Sequence, residues 1–212
     1  MEDNTRRFVR VRRGISDSRD VADLAVRLSA SAIFFTPIEW LDPTHLRQSS
    51  GRVRDCMLTS PLYFDIDVKS PQTITAAATT VHALMETIRK LSNRDPDMLV
   101  FSGKSGFHVY YWNWDDIPSR YPHPEMRIMR FRESRMQLLS LLRQKGVAVD
   151  WTVTPDPWRV MRLPGSLHWD TGLVACVVSE LDEFRQERDA VAFPPELYEE
   201  VFGPRLPISE VR

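Results

Sequence analysis

This sequence of 212 residues has few cysteines, almost no net charge and no long apolar run. Cys56 and Cys176 are its only cysteines, which excludes a disulfide framework and a cysteine-rich zinc site and suits a reducing compartment. A net charge of −1 excludes a global attraction to nucleic acid or anionic membranes, so any such affinity must come from local basic patches. No apolar run approaches the roughly 18–20 residues of a membrane span.

The N-terminal region is polar and rich in arginine, and it lacks the apolar segment of a secretory signal peptide. We therefore expect a protein that is not secreted and that acts in the cytoplasm, in association with the nucleoid, or in a nucleus. The length and a hydrophobic share of 42% suit one globular domain with a sizeable core.

Two aspartates lie two residues apart in the apolar segment Tyr-Phe-Asp-Ile-Asp-Val at residues 63–68. Side chains alternate faces along a strand, so Asp65 and Asp67 point the same way, roughly 7 Å apart, while the apolar residues face a core. Aspartate is disfavoured inside strands, and a pair of hard divalent cations such as Mg²⁺ would explain two of them. The alternative is the exposed polar face of a half-buried strand.

A second segment, Ser-Gly-Lys-Ser-Gly-Phe-His at residues 102–108, connects two predicted strands and is typical of a hairpin. Its backbone amides, its two hydroxyls and Lys104 suit phosphate oxygens, and its glycines let the backbone approach an anion closely. It is not a P-loop, because its spacing differs and a strand follows it instead of a helix. A plain hairpin turn with a structural His108 is the alternative.

Residues 150–168 hold a third group of polar side chains. Asp150 is a candidate for a third metal ligand, and a loop carboxylate without such a role is the alternative. Asp156, between two prolines, competes with it as a turn former.

Two arginines and a histidine follow in the same segment. In a strand over residues 158–163, Arg159 and Arg162 would lie on opposite faces, so only one of them would easily reach a given site. The Pro-Gly-Ser turn after this strand would then deliver Ser166 and His168.

Apolar periodicity and turn residues predict the order of helices and strands. Helices are predicted from Asp17 or Asp20 to about Ala30, from Pro71 to about Leu91, from Glu125 to Lys145 and from about Ser179; strands are predicted over 32–38, 58–68, 98–101, 107–112, 147–153, 158–163 and 172–178. From residue 58 onward the order β-α-β-β-α-β resembles the split βαβ pattern. We expect an α+β fold in one domain, with an N-terminal α/β unit over about 1–57, a motif-bearing core over about 58–178, and a helix and Pro-rich tail over about 179–212.

Three motifs occur in a fixed order: Tyr-Phe-Asp-Ile-Asp, Phe-Ser-Gly-x-x-Gly-x-His and Arg-Leu-Pro-Gly-Ser-Leu-His-x-x-Thr-Gly. Together they resemble the archaeo-eukaryotic primase superfamily, specifically the small catalytic subunits of replicative primases, over about residues 58–178. The resemblance implies a split βαβ (RRM-like) sheet packed with the N-terminal α/β unit, with the active site in the cleft between them.

The resemblance also implies an activity: a template-directed nucleotidyltransferase that makes primers or extends strands on DNA by two-metal phosphoryl transfer. The implied catalytic, metal-binding carboxylates are Asp65, Asp67 and Asp150, with two Mg²⁺ or Mn²⁺ ions as cofactors. The implied triphosphate-binding residues are Ser102, Lys104, Ser105, His108, Arg162 and His168. The implied partners are nucleoside triphosphates, a single-stranded or primed DNA template, and a large primase subunit or another replication or repair protein; no membrane partner is expected.

Two other functions stay open. A repair polymerase of the same superfamily, which fills gaps or joins ends, would need a 5′-phosphate or an existing primer. A nucleic-acid-binding module without catalysis would not need three carboxylates, so their retention argues against it.

The sequence departs from the family pattern around the phosphates and in its size. Ser105 stands where eukaryotic relatives often have a second basic residue, and Trp169-Asp170 follow His168 where relatives often have a pair that ends in lysine. Residues 109–149 contain no cysteine, so we expect no structural zinc, and the length leaves no room for the helical subdomain of larger relatives. We therefore expect a minimal catalytic core.

Basic residues form two clusters that are candidates for template contacts. One is the set of five arginines within residues 5–14, and the other lies on or near the helix predicted over 125–145. The helix cluster consists of Arg127, Arg130, Arg135 and Arg143. A solvated helix face is the alternative.

Overall fold

A computed structural model describes residues 9, 11, 17–30, 32–42, 56–67, 74–168 and 171–190 of the chain. Within them the helices are α1 (Ser18–Arg27), α2 (Ile74–Ser92), α3 (Ile117–Arg120), α4 (Pro124–Gln144) and α5 (Gln186–Asp189), and the strands are β1 (Phe34–Phe35), β2 (Leu62–Asp67), β3 (Met98–Phe101), β4 (Gly106–Tyr111), β5 (Met161–Arg162) and β6 (Cys176–Val177). None of the described helices is long and apolar enough to cross a membrane.

Four of the strands form an antiparallel sheet in the order β2-β4-β3-β6. β4 lies between β2 and β3, and its register with β2 pairs Asp65 with His108 and Asp67 with Gly106. β1 and β5 form a separate antiparallel pair, in which Phe34 is the partner of Arg162. The described residues therefore form an α+β fold with antiparallel sheets, and the pairing of β2 with β4 brings the aspartate segment beside the hairpin.

The four-stranded sheet contributes to two apolar cores, because successive side chains of its strands point to opposite faces. On one face Phe64 packs with the apolar stripe of α2. The buried residues of that stripe are Ala77, Val81, Leu84 and Ile88, which recur at helical spacing. On the other face Tyr63 and Tyr110 share a core with Phe131 of α4 and Met161 of β5. The aspartates have the same strand parity as Tyr63 and belong to this second face.

Helix α1 begins where its N-cap was predicted. The Asp17 carboxylate accepts hydrogen bonds from the backbone N–H groups of Arg19 and Asp20, at 2.8 and 3.0 Å. Asp17, and not Asp20, is therefore the cap residue. The helix ends at Arg27, three residues before the predicted end at Ala30.

The strand predicted over residues 147–153 does not form. The Asp150 carboxylate accepts hydrogen bonds from the backbone N–H and from the hydroxyl of Thr152, both at 2.7 Å, and so holds the chain in a turn. The strand that the β-α-β-β-α-β order places directly after α4 is therefore absent from the described residues. Instead β6 provides the fourth strand of the sheet, next to β3.

The other predicted strands of the second half are shorter than expected. Within residues 158–163 only Met161 and Arg162 form a strand, β5. The backbone before it turns, because the Asp156 carboxylate accepts a hydrogen bond from the Trp158 N–H at 3.1 Å. The predicted strands over 172–178 and 32–38 are reduced to the two-residue strands β6 and β1. The last helix, expected from about Ser179, begins at Gln186.

Candidate functional site

Seven of the nine predicted site residues line one pocket. Asp65 and Asp67 come from β2, and His108 comes from β4, which pairs with it. The other predicted residues in the lining are Ser102, Lys104, Arg162 and His168, and the lining also contains Phe34, Arg159, Val160 and Met161. The pocket thus gathers carboxylates and cationic side chains from segments far apart in the chain.

Asp65 is largely buried, with 17% of its side chain exposed. Its Oδ1 lies 3.7 Å from His108 Nε2, and its Oδ2 lies 3.6 Å from Arg159 Nη2. The pKa of Asp65 is raised to about 6, first by burial and then by the negative charge of Asp67, while Arg159 opposes the rise. The raised pKa means that the surrounding cations do not fully offset the burial and repulsion of this carboxylate.

The carboxylate pair fits a hard divalent cation. Carboxylate oxygens are preferred ligands of Mg²⁺, and a cation beside them would offset the effects that raise the pKa of Asp65. Asp150 also raises the pKa of Asp65, so its charge reaches the pair, although its Oδ1 accepts both bonds from Thr152. Across the described part of the chain, no three His, Cys, Asp or Glu side chains are grouped closely enough to hold a metal ion. Asp150 as a third ligand therefore stays a prediction.

Gly106 allows the hairpin to approach the aspartate strand. A Cβ atom at this position would collide with the carbonyl oxygen of Ile66 and lie 2.8 Å from Asp67 Oδ1. The hairpin closes where the Ser102 N–H donates to the Gly106 carbonyl at 2.9 Å. The Ser105 hydroxyl donates to Asp67 Oδ1 at 3.4 Å. Ser105 therefore contacts the acidic pair and lies outside the pocket lining, and its role in triphosphate binding stays a prediction.

Arg162 is held in place on two sides. Its Nη1 donates to the carbonyl oxygen of Leu167 at 2.9 Å, and its guanidinium lies 4.8 Å from the centre of the Phe34 ring. The pairing of β1 with β5 produces this contact, because the two residues are direct partners. The buried His168 is fixed by its backbone N–H, which donates to the Leu173 carbonyl at 2.7 Å. Hydrogen bonds thus fix the side chain of Arg162 and the backbone of His168 at the pocket.

His108 is a buried imidazole. Its pKa is lowered to about 3, first by burial and then by the positive charges of Arg162 and Arg159. The Tyr110 hydroxyl lies 3.4 Å from its Nδ1. Burial and these two guanidinium groups therefore both oppose a positive charge on this side chain.

Arg159 and Arg162 both reach the pocket, so the prediction that only one of them does is wrong. Faces alternate only within a strand, and β5 begins at Met161. Arg159 lies in the preceding turn, where its N–H donates to the Asp156 carbonyl at 3.1 Å. In the sequence, the position of Asp156 between two prolines indicates this turn. Phe34 carries no such signal, since only the long-range pairing of β1 with β5 brings it to the site.

Arg135 is not available to nucleic acid, so it is excluded as a candidate for template contact, and the alternative of a solvated helix face is also wrong for it. Its side chain is fully buried. Its Nη1 donates to Asp115 Oδ2 at 2.7 Å, and its Nη2 donates to the carbonyl oxygens of Ser60 and Pro61, both at 3.0 Å. The arginines within residues 5–14 lie outside the described residues, and their template role stays a prediction.

Comparison with known proteins finds similarity over part of the chain. No family model matches it. The identity is 44% to DNA primase small subunits PriS over 51 residues in Archaeoglobus fulgidus, 63 residues in Methanospirillum hungatei and 54 residues in Methanosarcina acetivorans. These segments are 24%, 29% and 24% of this chain, and only 15%, 16% and 13% of the three relatives. The three matches confirm the resemblance to the archaeo-eukaryotic primase superfamily that the motifs carry.

A solved structure with some likeness to this chain is the polymerase domain of Mycobacterium tuberculosis ligase D, in complex with DNA. The superposition has a TM-score of 0.47 at 18% sequence identity. It covers 82% of this chain and 58% of that one.

Proposed function

We propose that this protein is a template-directed nucleotidyltransferase, a DNA primase or primase-polymerase that synthesises primers or extends strands on DNA with two divalent cations. The observation that carries the proposal is that the carboxylate pair of β2 lies in a pocket among cations and hydrogen-bond donors. Phosphoryl transfer needs this combination, because metal ions and fixed donors must share the charge of the reacting triphosphate. The partial similarity to small primase subunits supports the same reaction class.

The proposal gives each group a role. Asp65 and Asp67 would hold two Mg²⁺ or Mn²⁺ ions, with Asp150 as a further ligand. When bound, the ions would activate the 3′-hydroxyl of the growing strand and neutralise charge on the triphosphate. The triphosphate would be bound by Ser102, Lys104, His108, Arg159, Arg162 and His168. A single-stranded or primed DNA would be the template, and a larger primase subunit or another replication or repair protein would be the partner.

Nucleotide incorporation on an unprimed single-stranded DNA template tests the proposal. Labelled ribonucleotides and deoxynucleotides are supplied in turn, with Mg²⁺ or Mn²⁺. We expect products from the wild type and a loss of about 10³-fold or more in the Asp65→Asn, Asp67→Asn double variant, because the metal-dependent stabilisation is worth several kcal/mol.

The chain offers a matched control for that variant. Asp95 and Asp97 are also two residues apart, but they form surface ion pairs with Arg89 and Arg94. We expect the Asp95→Asn, Asp97→Asn variant to keep its activity, with folding of both variants checked by circular dichroism. Products only from gapped or primed DNA would indicate a repair polymerase. A folded wild type that incorporates nothing and binds no triphosphate with either metal in calorimetry would contradict the proposal.

A further inference from the structure

Tyr63 is a fully buried residue of β2 that the proposed roles do not use. Its hydroxyl donates a hydrogen bond to the backbone carbonyl oxygen of Asp156 at 2.5 Å. A carbonyl oxygen carries no proton, so the hydroxyl is the donor of this bond. The bond joins the strand that carries Asp65 and Asp67 to a turn 93 residues away in the sequence.

The turn that accepts this bond, residues 153–159, carries Arg159 to the pocket. The Asp156 N–H donates to the Val153 carbonyl at 3.1 Å. The Arg159 N–H donates, also at 3.1 Å, to the same Asp156 carbonyl oxygen that Tyr63 contacts. A carbonyl oxygen has two lone pairs and can accept both bonds. A displacement of this carbonyl would therefore displace the backbone of Arg159.

The Arg159 side chain depends on this backbone for its place, because its own contacts are weak. Its Nη2 lies 3.6 Å from Asp65 Oδ2, and 40% of the side chain is exposed. Its Nε is buried and has no hydrogen-bond partner within the part of the chain that the structure describes. A buried donor without a partner is unfavourable. The guanidinium is therefore held at the pocket by the turn, and its Nε remains a donor for a ligand.

Strand alternation explains how Tyr63 acts on this site. Tyr63 and Asp65 are two residues apart on β2, so they share a face of the sheet, about 7 Å apart. The turn meets β2 at both positions, with Asp156 against Tyr63 and Arg159 against Asp65. We propose that Tyr63 is a positioning residue, whose hydroxyl holds this turn on β2 and so places the Arg159 guanidinium beside the carboxylate pair.

This role of Tyr63 has a consequence for triphosphate binding, a step that rests on the proposed function. A guanidinium placed beside the carboxylate pair can donate charge-assisted hydrogen bonds to an oxygen of a triphosphate bound there. Tyr63 itself touches neither the nucleotide nor a metal ion in this role. Its effect on binding passes through the position of Arg159.

Proton NMR of the wild type without nucleotide or metal tests the hydrogen bond directly. We expect the Tyr63 hydroxyl proton to exchange slowly with water, because it is buried and bonded. This proton and the Arg159 N–H point to the same oxygen, so we also expect a nuclear Overhauser contact between them. A hydroxyl proton that exchanges too fast to be observed, or that shows no such contact, would overturn the inference even where a variant fails to fold.

Tyr63→Phe removes the hydroxyl and keeps the ring, whose centre lies 6.4 Å from that of Phe131. We expect the Arg159 N–H to exchange faster in this variant. We also expect dATP to bind about 2- to 10-fold more weakly in calorimetry with Mg²⁺, as for the loss of one hydrogen bond. Unchanged exchange of the Arg159 N–H in the folded variant would overturn the inference.

Tyr111→Phe is the matched control. Tyr111 of β4 is equally buried, and its hydroxyl has no hydrogen-bond partner among the described residues. We expect this variant to change neither the exchange of the Arg159 N–H nor the affinity for dATP. Equal changes in the two variants would overturn the inference, because the loss of any buried hydroxyl would then have the same effect.

A double-mutant cycle with Arg159→Met distinguishes positioning from a general loss of stability. We expect Tyr63→Phe to weaken dATP binding in the wild type and to have no further effect in Arg159→Met. The same fold-loss in both backgrounds, or unchanged affinity alongside faster exchange, would overturn the contribution of Tyr63 through Arg159. If the hydroxyl contact and the change in exchange are found but the wild type binds no triphosphate, the proposed function fails and the role of Tyr63 in holding the turn stands.

Discussion

The two faces of the four-stranded sheet differ in the side chains they carry, although the same strands form both. One face is covered by an apolar core, and the other also borders the candidate site. On one face Phe64 and its neighbours are enclosed by the long helix α2 in a continuous apolar core. On the other face Asp65 and His108 border a pocket that short strands and turns complete. Adjacent residues of one strand therefore have separate tasks: Phe64 stabilises the fold, while Asp65 supplies charge to the candidate site.

This difference has an energetic side. Burial of apolar area is favourable, whereas burial of a carboxylate is unfavourable unless it is paired. The raised pKa of Asp65 shows that its pairing with Arg159 does not compensate fully. The buried Asp65 thus destabilises the fold while it contributes to a preorganised charge arrangement, and the apolar cores on both faces must offset that cost.

Among the tests of this difference between the two faces, substitution of Phe64 should have the largest effect on stability. Phe64→Ala removes a fully buried ring from the apolar core, and we expect the free energy of unfolding to fall by about 3–5 kcal/mol. Urea denaturation followed by circular dichroism measures this loss.

Asp65→Asn, one residue along, is the matched variant for the opposite face. It keeps the shape of the side chain and removes a buried charge, so we expect the free energy of unfolding of the metal-free protein to stay the same or to rise. A large loss of stability in Asp65→Asn would mean that the carboxylate is structural, and the contrast between the two faces would be wrong.

Arg135 provides the next test, because it is a buried charge on the pocket side that lies outside the site. Arg135→Met leaves Asp115 and the carbonyl groups at Ser60 and Pro61 without their donor, and we expect a loss of about 3 kcal/mol. Thermal and urea unfolding measure it.

The neighbouring surface pair is the control for Arg135. Arg120 pairs with Asp116 at 2.9 Å with both side chains more than half exposed, so Arg120→Met should change stability by less than about 0.5 kcal/mol. Equal effects of the two substitutions would show that Arg135 contributes no more than a solvent-exposed ion pair.

The sequence alone predicts those features of the fold and the site that follow from a local rule. Strand alternation predicts that Asp65 and Asp67 share a face, and the hairpin pattern predicts the connection before His108; both segments line the pocket. Arg135 could also have been inferred to be buried, because it falls on the stripe Phe131, Arg135, Leu139 and Leu142, which recurs at helical spacing.

Prediction failed where a polar side chain competed with the backbone pattern or where the partner was distant. The alternating residues around Asp150 suggest a strand, but its carboxylate bonds to Thr152 and holds a turn instead. The approach of Phe34 to Arg162 depends on a strand pairing across more than a hundred residues, which no local pattern encodes.

The smallest expected effect concerns the contact between the hairpin and the turn that carries His168. Gly103 has φ +89°, and a Cβ atom there would lie 2.9 Å from the Cβ of His168; Gly165 has φ +88° with no atom within 4 Å of such a Cβ. Both glycine-to-alanine variants should lose about 1–2 kcal/mol of stability from backbone strain. Only Gly103→Ala also displaces His168, so we expect it alone to weaken Mg²⁺-dependent triphosphate binding. Thermal unfolding and calorimetry on the two variants separate strain from contact, and equal binding by both would show that this contact does not shape the pocket.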